Sequence, residues 1–152
     1  MTLKLLKKRK KTKMNYKILA KYIKDLRFEI PNSEVFFLLA KNISNYKINI
    51  DIKSNQIKEK VIEVLTTLSL NPTKDDFEKI NIKITHASVV ELQSNKLNKK
   101  ELEEIILINV PEEIYSEIRQ TFIFLFEKSG YKEIKIDKNV DFRKLYSQRA
   151  IQ

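Results

Sequence analysis

The sequence predicts an α+β domain: a four-stranded antiparallel sheet followed by a long helix, an extended crossing segment and a short C-terminal helix. Three observations carry this. Apolar and polar residues alternate with a period of two through much of residues 22–92. Beyond Lys99 the apolar residues recur at helical spacing instead. The polar stretches between the alternating runs are short, so antiparallel strands lying in sequence order are the economical arrangement.

The first strand is Tyr22-Ile23-Lys24-Asp25-Leu26-Arg27-Phe28-Glu29-Ile30, ended by Pro31-Asn32, because Pro has no N–H for the ladder and Asn favours a turn. Strict alternation puts Tyr22, Leu26, Phe28 and Ile30 on a buried side, and Ile23, Asp25, Arg27 and Glu29 on a wet one. Such a wet face is either a plain edge or a docking surface. Val35–Ala40 is strongly apolar but short, and reads as a covered connection. The second strand is clean: Tyr46, Ile48, Ile50 and Ile52 alternate with Lys47, Asn49, Asp51 and Lys53. Val61–Leu70 is rich in β-branched residues and forms the third, closed by Asn71-Pro72. The fourth is read from Phe77 to Leu92 after the polar turn containing Asp75-Asp76.

Lys99–Asn109 carries Leu102, Ile105 and Ile106 at helical spacing. Val110-Pro111-Glu112-Glu113 predicts a new helix start, with Pro near the first turn and acids at the positive helix end. That helix runs to about Lys128. Ile114, Ile118, Phe122, Leu125 and Phe126 line one face, widened by Tyr115 and Ile123. An arc this wide exceeds what one small sheet covers, so an oligomer interface is expected there. Ser129-Gly130 closes the helix, with Gly where a left-handed backbone is needed. Tyr131–Val140 reads as the crossing segment, and Asp141 as the cap of a last helix bearing Phe142, Leu145, Tyr146 and Ile151.

At 152 residues the chain is one domain, here residues 14–152, preceded by a basic tail at residues 1–13. The formal net charge is +10, but the tail holds seven of the 30 basic residues and no acid. Without it, 23 basic face 20 acidic residues, so the folded part is nearly balanced. The tail reads as a solvated, disordered arm or as an RNA or anionic-lipid contact. No apolar run is long enough for a membrane span. The chain has no cysteine, a single glycine and three prolines, which excludes thiol chemistry and argues against glycine-rich phosphate loops.

No catalytic constellation is found. His86 is the only histidine. Asp75-Asp76, Glu103-Glu104 and Glu112-Glu113 are sequence neighbours suited to capping and solvation, with no apolar pocket indicated to shift a carboxylate. The chain reads as a non-enzyme without metal or cofactor. Phe122, Phe124, Phe126, Tyr131, Phe142 and Tyr146 form a dense aromatic set, either core or an exposed groove for extended chains.

The order of elements and one motif resemble the SecB family of bacterial protein-export chaperones. Tyr22 to Asn32 is similar to that family's Tyr-x-Lys-Asp-x-x-Phe-Glu-x-Pro-Asn, and Val35-Phe36 to the Val-Phe that follows it. Lys47–Asp51 resembles the start of the second strand. Pro111, Ile114, Tyr115 and Arg119 match the long-helix motif in part, with Ser116 and Ile118 departing from it. The resemblance implies a homotetramer, a dimer of dimers, with long helices between sheets. It implies cytoplasmic, ATP-independent holding of unfolded preproteins and their delivery to the motor ATPase SecA. Asp25 and Glu29 match the family's motor-docking acids, whereas Lys83 stands about where a further acid is expected. Tyr131, Phe142, Leu145 and Tyr146 are expected to line the client groove. Two alternatives remain open: a SecB-like chaperone dedicated to one partner such as an antitoxin, and an RNA-associated protein using the basic tail.

Overall fold

A computed structural model describes residues 15–74, 80–132 and 134–151. The basic tail and the Asp75-Asp76 turn lie outside the described residues. Strand β1 (Tyr16–Glu29) leads to helix α1 (Ser33–Asn42), and a 3₁₀ turn (Ile43–Asn45) delivers the chain to β2 (Tyr46–Lys58). Strands β3 (Val61–Pro72) and β4 (Asn81–Leu92) follow, then α2 (Lys99–Glu104), a π-helical turn (Ile105–Asn109), α3 (Val110–Lys128) and α4 (Phe142–Ile151).

The four strands form one antiparallel sheet in the order β1-β4-β3-β2. Strand β1 therefore pairs with β4, not with its sequence neighbour as economy suggested. The reason lies in Asn32, whose side chain accepts the Val35 N–H at 2.8 Å and caps α1 instead of closing a hairpin. Val35–Ala40 is thus helical, not a covered connection. With α1 interposed, the chain enters β2 at the opposite edge from β1.

The inner face of the sheet buries Leu68, Leu70, Ile82 and Ile84 against α3. Ile114, Ile118, Phe122 and Phe126 of α3 are almost wholly excluded from solvent in that core, and Leu125 packs against it partly buried. These residues were expected at an oligomer interface, but the protomer's own sheet, Phe28 and the crossing segment occupy them. Phe28, for example, meets Phe126 edge-on at 5.0 Å. The exposed large apolar side chain on α3 is Phe124, 53% exposed.

No fresh helix begins at Val110-Pro111. The Val110 N–H bonds the Ile105 carbonyl five residues back, and α2, the π turn and α3 follow one another without a break. Pro111 has no N–H and its ring crowds the preceding turn, and a widened turn relieves both. At the other end the expected glycine stop holds. Gly130 (φ +93°) is followed by a Tyr131 N–H to Phe126 carbonyl bond of 3.0 Å, and its own N–H bonds Glu127 at 3.1 Å. This paired arrangement satisfies the last carbonyls of the helix.

Candidate binding surfaces

A cleft of about 650 Å³ opens between β2 and the crossing segment. The inner-face residues Tyr46, Ile48 and Ile50 of β2 form one wall, Leu70 and Tyr115 lie behind, and Ile134, Ile136 and Val140 form the other wall. A smaller hollow of about 310 Å³ continues along β2, lined by Ile50, Ile52, Leu107, Phe142, Leu145 and Tyr146. Ile50 and Leu145 belong to both, so the two make one apolar strip. Among the described residues the strand that carries the strip pairs with β3 and lies at the edge of the sheet.

Polar anchors hold the crossing segment over this strip. The Tyr115 hydroxyl donates to the Asp137 carbonyl at 2.6 Å, and Arg119 Nε donates to the Ile136 carbonyl at 3.1 Å. Burial raises the Tyr115 pKa, which keeps the phenol a donor. Asp141 Oδ1 accepts the Lys144 N–H at 3.0 Å, the expected cap of α4. Tyr146 reaches back to Glu103 at 2.7 Å.

Of the expected groove residues, Leu145 (43% exposed) and Tyr146 line the strip, and Phe142 forms its buried floor edge-on to Tyr115. Tyr131 does not. Its ring stacks 4.6 Å from Phe36 and 5.5 Å from Phe126 inside the core, and burial pushes its pKa up to about 12. Tyr131 follows the glycine stop so closely that its side chain turns under α3 rather than out along the crossing segment. The β2 residues were missed as groove residues. The available signal was their clean alternation, with an apolar face that no predicted helix was assigned to cover.

The outer sheet face is polar around Asp25, Arg27 and Glu29, and carries Tyr22, Leu65, Ala87 and Val89 further along. Asp25 and Glu29 both lie on it, but strict alternation fails between them and Tyr22. The β1–β4 register slips between Ile18 and Ala20 and again between Ile23 and Asp25. Directly opposed residues share a face, so Ile23 (opposite His86) and Leu26 (opposite Ile84) face inward, while Tyr22 (opposite Ala87) faces outward with Asp25 and Glu29. Tyr22 and Lys24 both donate to Glu63, at 2.7 and 3.2 Å, and these bonds hold its carboxyl below the usual range. Leu19, Tyr22, Ile23 and Leu26 of β1 are each more than 40% exposed, Tyr22 on the outer face and Ile23 and Leu26 on the inner one.

Beneath α3, three buried polar atoms cluster on adjacent inner positions: Thr66 Oγ1, His86 Nδ1 and Ser88 Oγ, none with a hydrogen-bond partner among the described residues. His86 Nε2 lies 3.9 Å from Glu117, whose other oxygen binds Lys21 at 2.7 Å. Burial lowers the His86 pKa, and Glu117 pulls the opposite way. Glu117 is half-exposed and already paired, so burial prevails and the imidazole is neutral near pH 7. Among the described residues no cluster of His, Cys, Asp or Glu could hold a metal ion, and no helix is long and apolar enough to cross a membrane.

Residues 9–152 match the family model described as preprotein translocase subunit SecB. A protein of Pelagibacter ubique (strain HTCC1062), provisionally named protein-export protein SecB, is 40% identical over 136 residues, covering 90% of this chain and 97% of that protein. Protein-export protein SecB of Burkholderia lata is 23% identical over 131 residues, covering 86% and 79%. Among solved structures, a SecB-like chaperone of Mycobacterium tuberculosis, bound to a ChAD peptide from the HigA1 antitoxin, superposes with a TM-score of 0.55 at 10% identity, covering 83% and 88%. This chain belongs to the SecB family, whose members are protein-export chaperones and not enzymes.

Proposed function

We propose that this SecB-family protein holds unfolded preproteins in the cytoplasm and hands them to a SecA-type motor ATPase. The observation that carries the reading is the apolar strip along the free edge of β2. An extended client segment would lay alternate side chains into its two hollows while β2 offers backbone hydrogen bonds. Each 100 Å² of apolar surface so buried contributes about 2.5 kcal/mol before ordering costs, so several weakly held segments suffice for a strong complex. Holding of this kind requires no cofactor.

Two further features support the rest of the reading. The exposed Ile23 and Leu26 on β1 and Phe124 on α3 are large apolar side chains that a second copy would cover, consistent with a homotetramer built as a dimer of dimers. Asp25 and Glu29 share the open outer face, two rows apart, which supports reading them as motor-docking acids. The test is suppression of aggregation of a urea-unfolded preprotein on dilution. Full suppression is expected at one tetramer per client, and none at that ratio would sink the holdase reading.

A second reading, a chaperone dedicated to a single partner, draws on the Mycobacterium tuberculosis neighbour seen with an antitoxin peptide. Competition separates the two. A general holdase loses a bound client to an excess of an unrelated unfolded preprotein, and a dedicated one does not.

A further inference from the structure

The outer sheet face carries its charges in bands. Across β1 and β4, Glu29 lies opposite Asn81, Arg27 opposite Lys83, and Asp25 opposite Thr85. The last row continues through Thr67 of β3 to Asp51 of β2. Along the strands the order is therefore acid, two bases, then acid. Consecutive same-face rows are two residues, or about 6.8 Å, apart.

The middle band is the anomaly. Arg27 and Lys83 are directly opposed on an antiparallel pair, a placement that brings their Cβ atoms to about 5 Å and, for like charges, costs stability. Arg27 has a counter-ion in Asp25, with Nε–Oδ2 at 3.4 Å. Lys83 has none among the described residues. Its neighbour on β3 is Ser69, whose hydroxyl already accepts the Asn71 amide at 3.0 Å. In the neighbouring band that holds Asp25, Thr67 and Thr85 bond each other at 2.8 Å. Among the described residues a cation is thus left beside another cation, in a site that an anion would complete.

We infer that this face takes an extended protein segment carrying a carboxylate that sits between Arg27 and Lys83, flanked two residues away on each side by basic side chains that meet Glu29 and Asp25. An extended chain repeats its same-side side chains at the same 6.8 Å interval, so base–acid–base at alternate positions matches the bands row for row. This rests on the docking role proposed above for Asp25 and Glu29 and adds the opposite charge between them. A partner that is basic throughout would be repelled by the middle band.

The experiment is titration of the full-length protein with the SecA-type motor of the same organism, at low and at physiological salt. Lys83→Glu places an acid opposite Arg27, which improves the strand pair, so the variant folds and its melting temperature does not fall. The expected result is binding about fivefold weaker at low salt, with the difference shrinking as salt rises. Tighter or unchanged binding by Lys83→Glu overturns the inference. The double variant Asp25→Lys with Glu29→Lys tests the underlying reading separately. If it weakens binding while Lys83→Glu tightens it, the docking face stands and the partner is simply basic. If neither variant changes the affinity, the docking face itself falls and the inference with it.

Discussion

The two edge strands of this sheet are built in opposite ways. Strand β2 alternates faithfully, keeps one register against β3 from Tyr46 to Gln56, and turns an isoleucine row into a concave strip closed by the crossing segment. Strand β1 breaks its register twice against β4, swaps faces at each break, and leaves its inward Ile23 and Leu26 exposed because α3 lies over β3 and β4. A regular edge under a strap makes a groove for something flexible. A bulged edge with bare apolar side chains makes a surface for something of fixed shape, and a second copy is such an object.

The sharpest way to break the contrast is Ile23→Lys with Leu26→Lys. Both residues are exposed in the protomer, so its fold should survive with circular dichroism unchanged. Assembly should collapse to smaller species by light scattering, and an intact tetramer would remove β1 from the interface. Next in size is Gly130→Ala, which acts on the strap over β2. A Cβ there would lie 3.3 Å from Phe36 Cζ at a backbone angle that L residues avoid, so about 2 kcal/mol of stability should be lost in urea unfolding. Leu145→Asp, by contrast, leaves the core alone and puts a charge where both hollows meet. Client affinity should fall about tenfold with the tetramer intact, about 1.4 kcal/mol.

The smallest effect belongs to His86, under the junction of β1 and α3. Its folded pKa is lowered by burial, so the unfolded chain binds its proton more readily. Stability should therefore be fully present above the ordinary histidine value near pH 6.5 and decline as pH falls below it. Lys21 and Glu117 face this ring, and Thr66 and Ser88 flank it. His86→Gln should flatten the slope between pH 7 and 5.5 in thermal melts, and an unchanged slope would assign it to the carboxylates.

What could be read beforehand follows the same division. The β2 alternation, the glycine stop of α3 and the Asp141 cap are local, and each was legible because neighbours in sequence make the contacts. The sheet order was not, since pairing β1 with β4 joins residues 52 to 76 apart and depends on Asn32 choosing a cap over a turn. The face of Tyr22 and Ile23 was misassigned for a related reason: a bulge inserts a residue that only the partner strand reveals. The π turn at Ile105–Asn109 hid behind Pro111, which reads equally well as a helix start. The wide apolar arc of α3 was seen correctly, but width alone does not say whether one's own sheet or a neighbour covers it. For Ile114, Ile118, Phe122 and Phe126 it is the protomer itself.

The two register slips in β1 also govern how far association can go. Two β1 edges, each bulged, can meet about a twofold axis, and that contact uses itself up, giving a closed particle. Docking β1 of one molecule on β2 of the next would instead leave a fresh edge at each end and grow without limit. The even spacing of β2 cannot follow β1 past either slip, so such a fibre loses its ladder within a few residues. A protein proposed to keep other chains from aggregating would thereby carry, in two misaligned residues, its own protection against doing so.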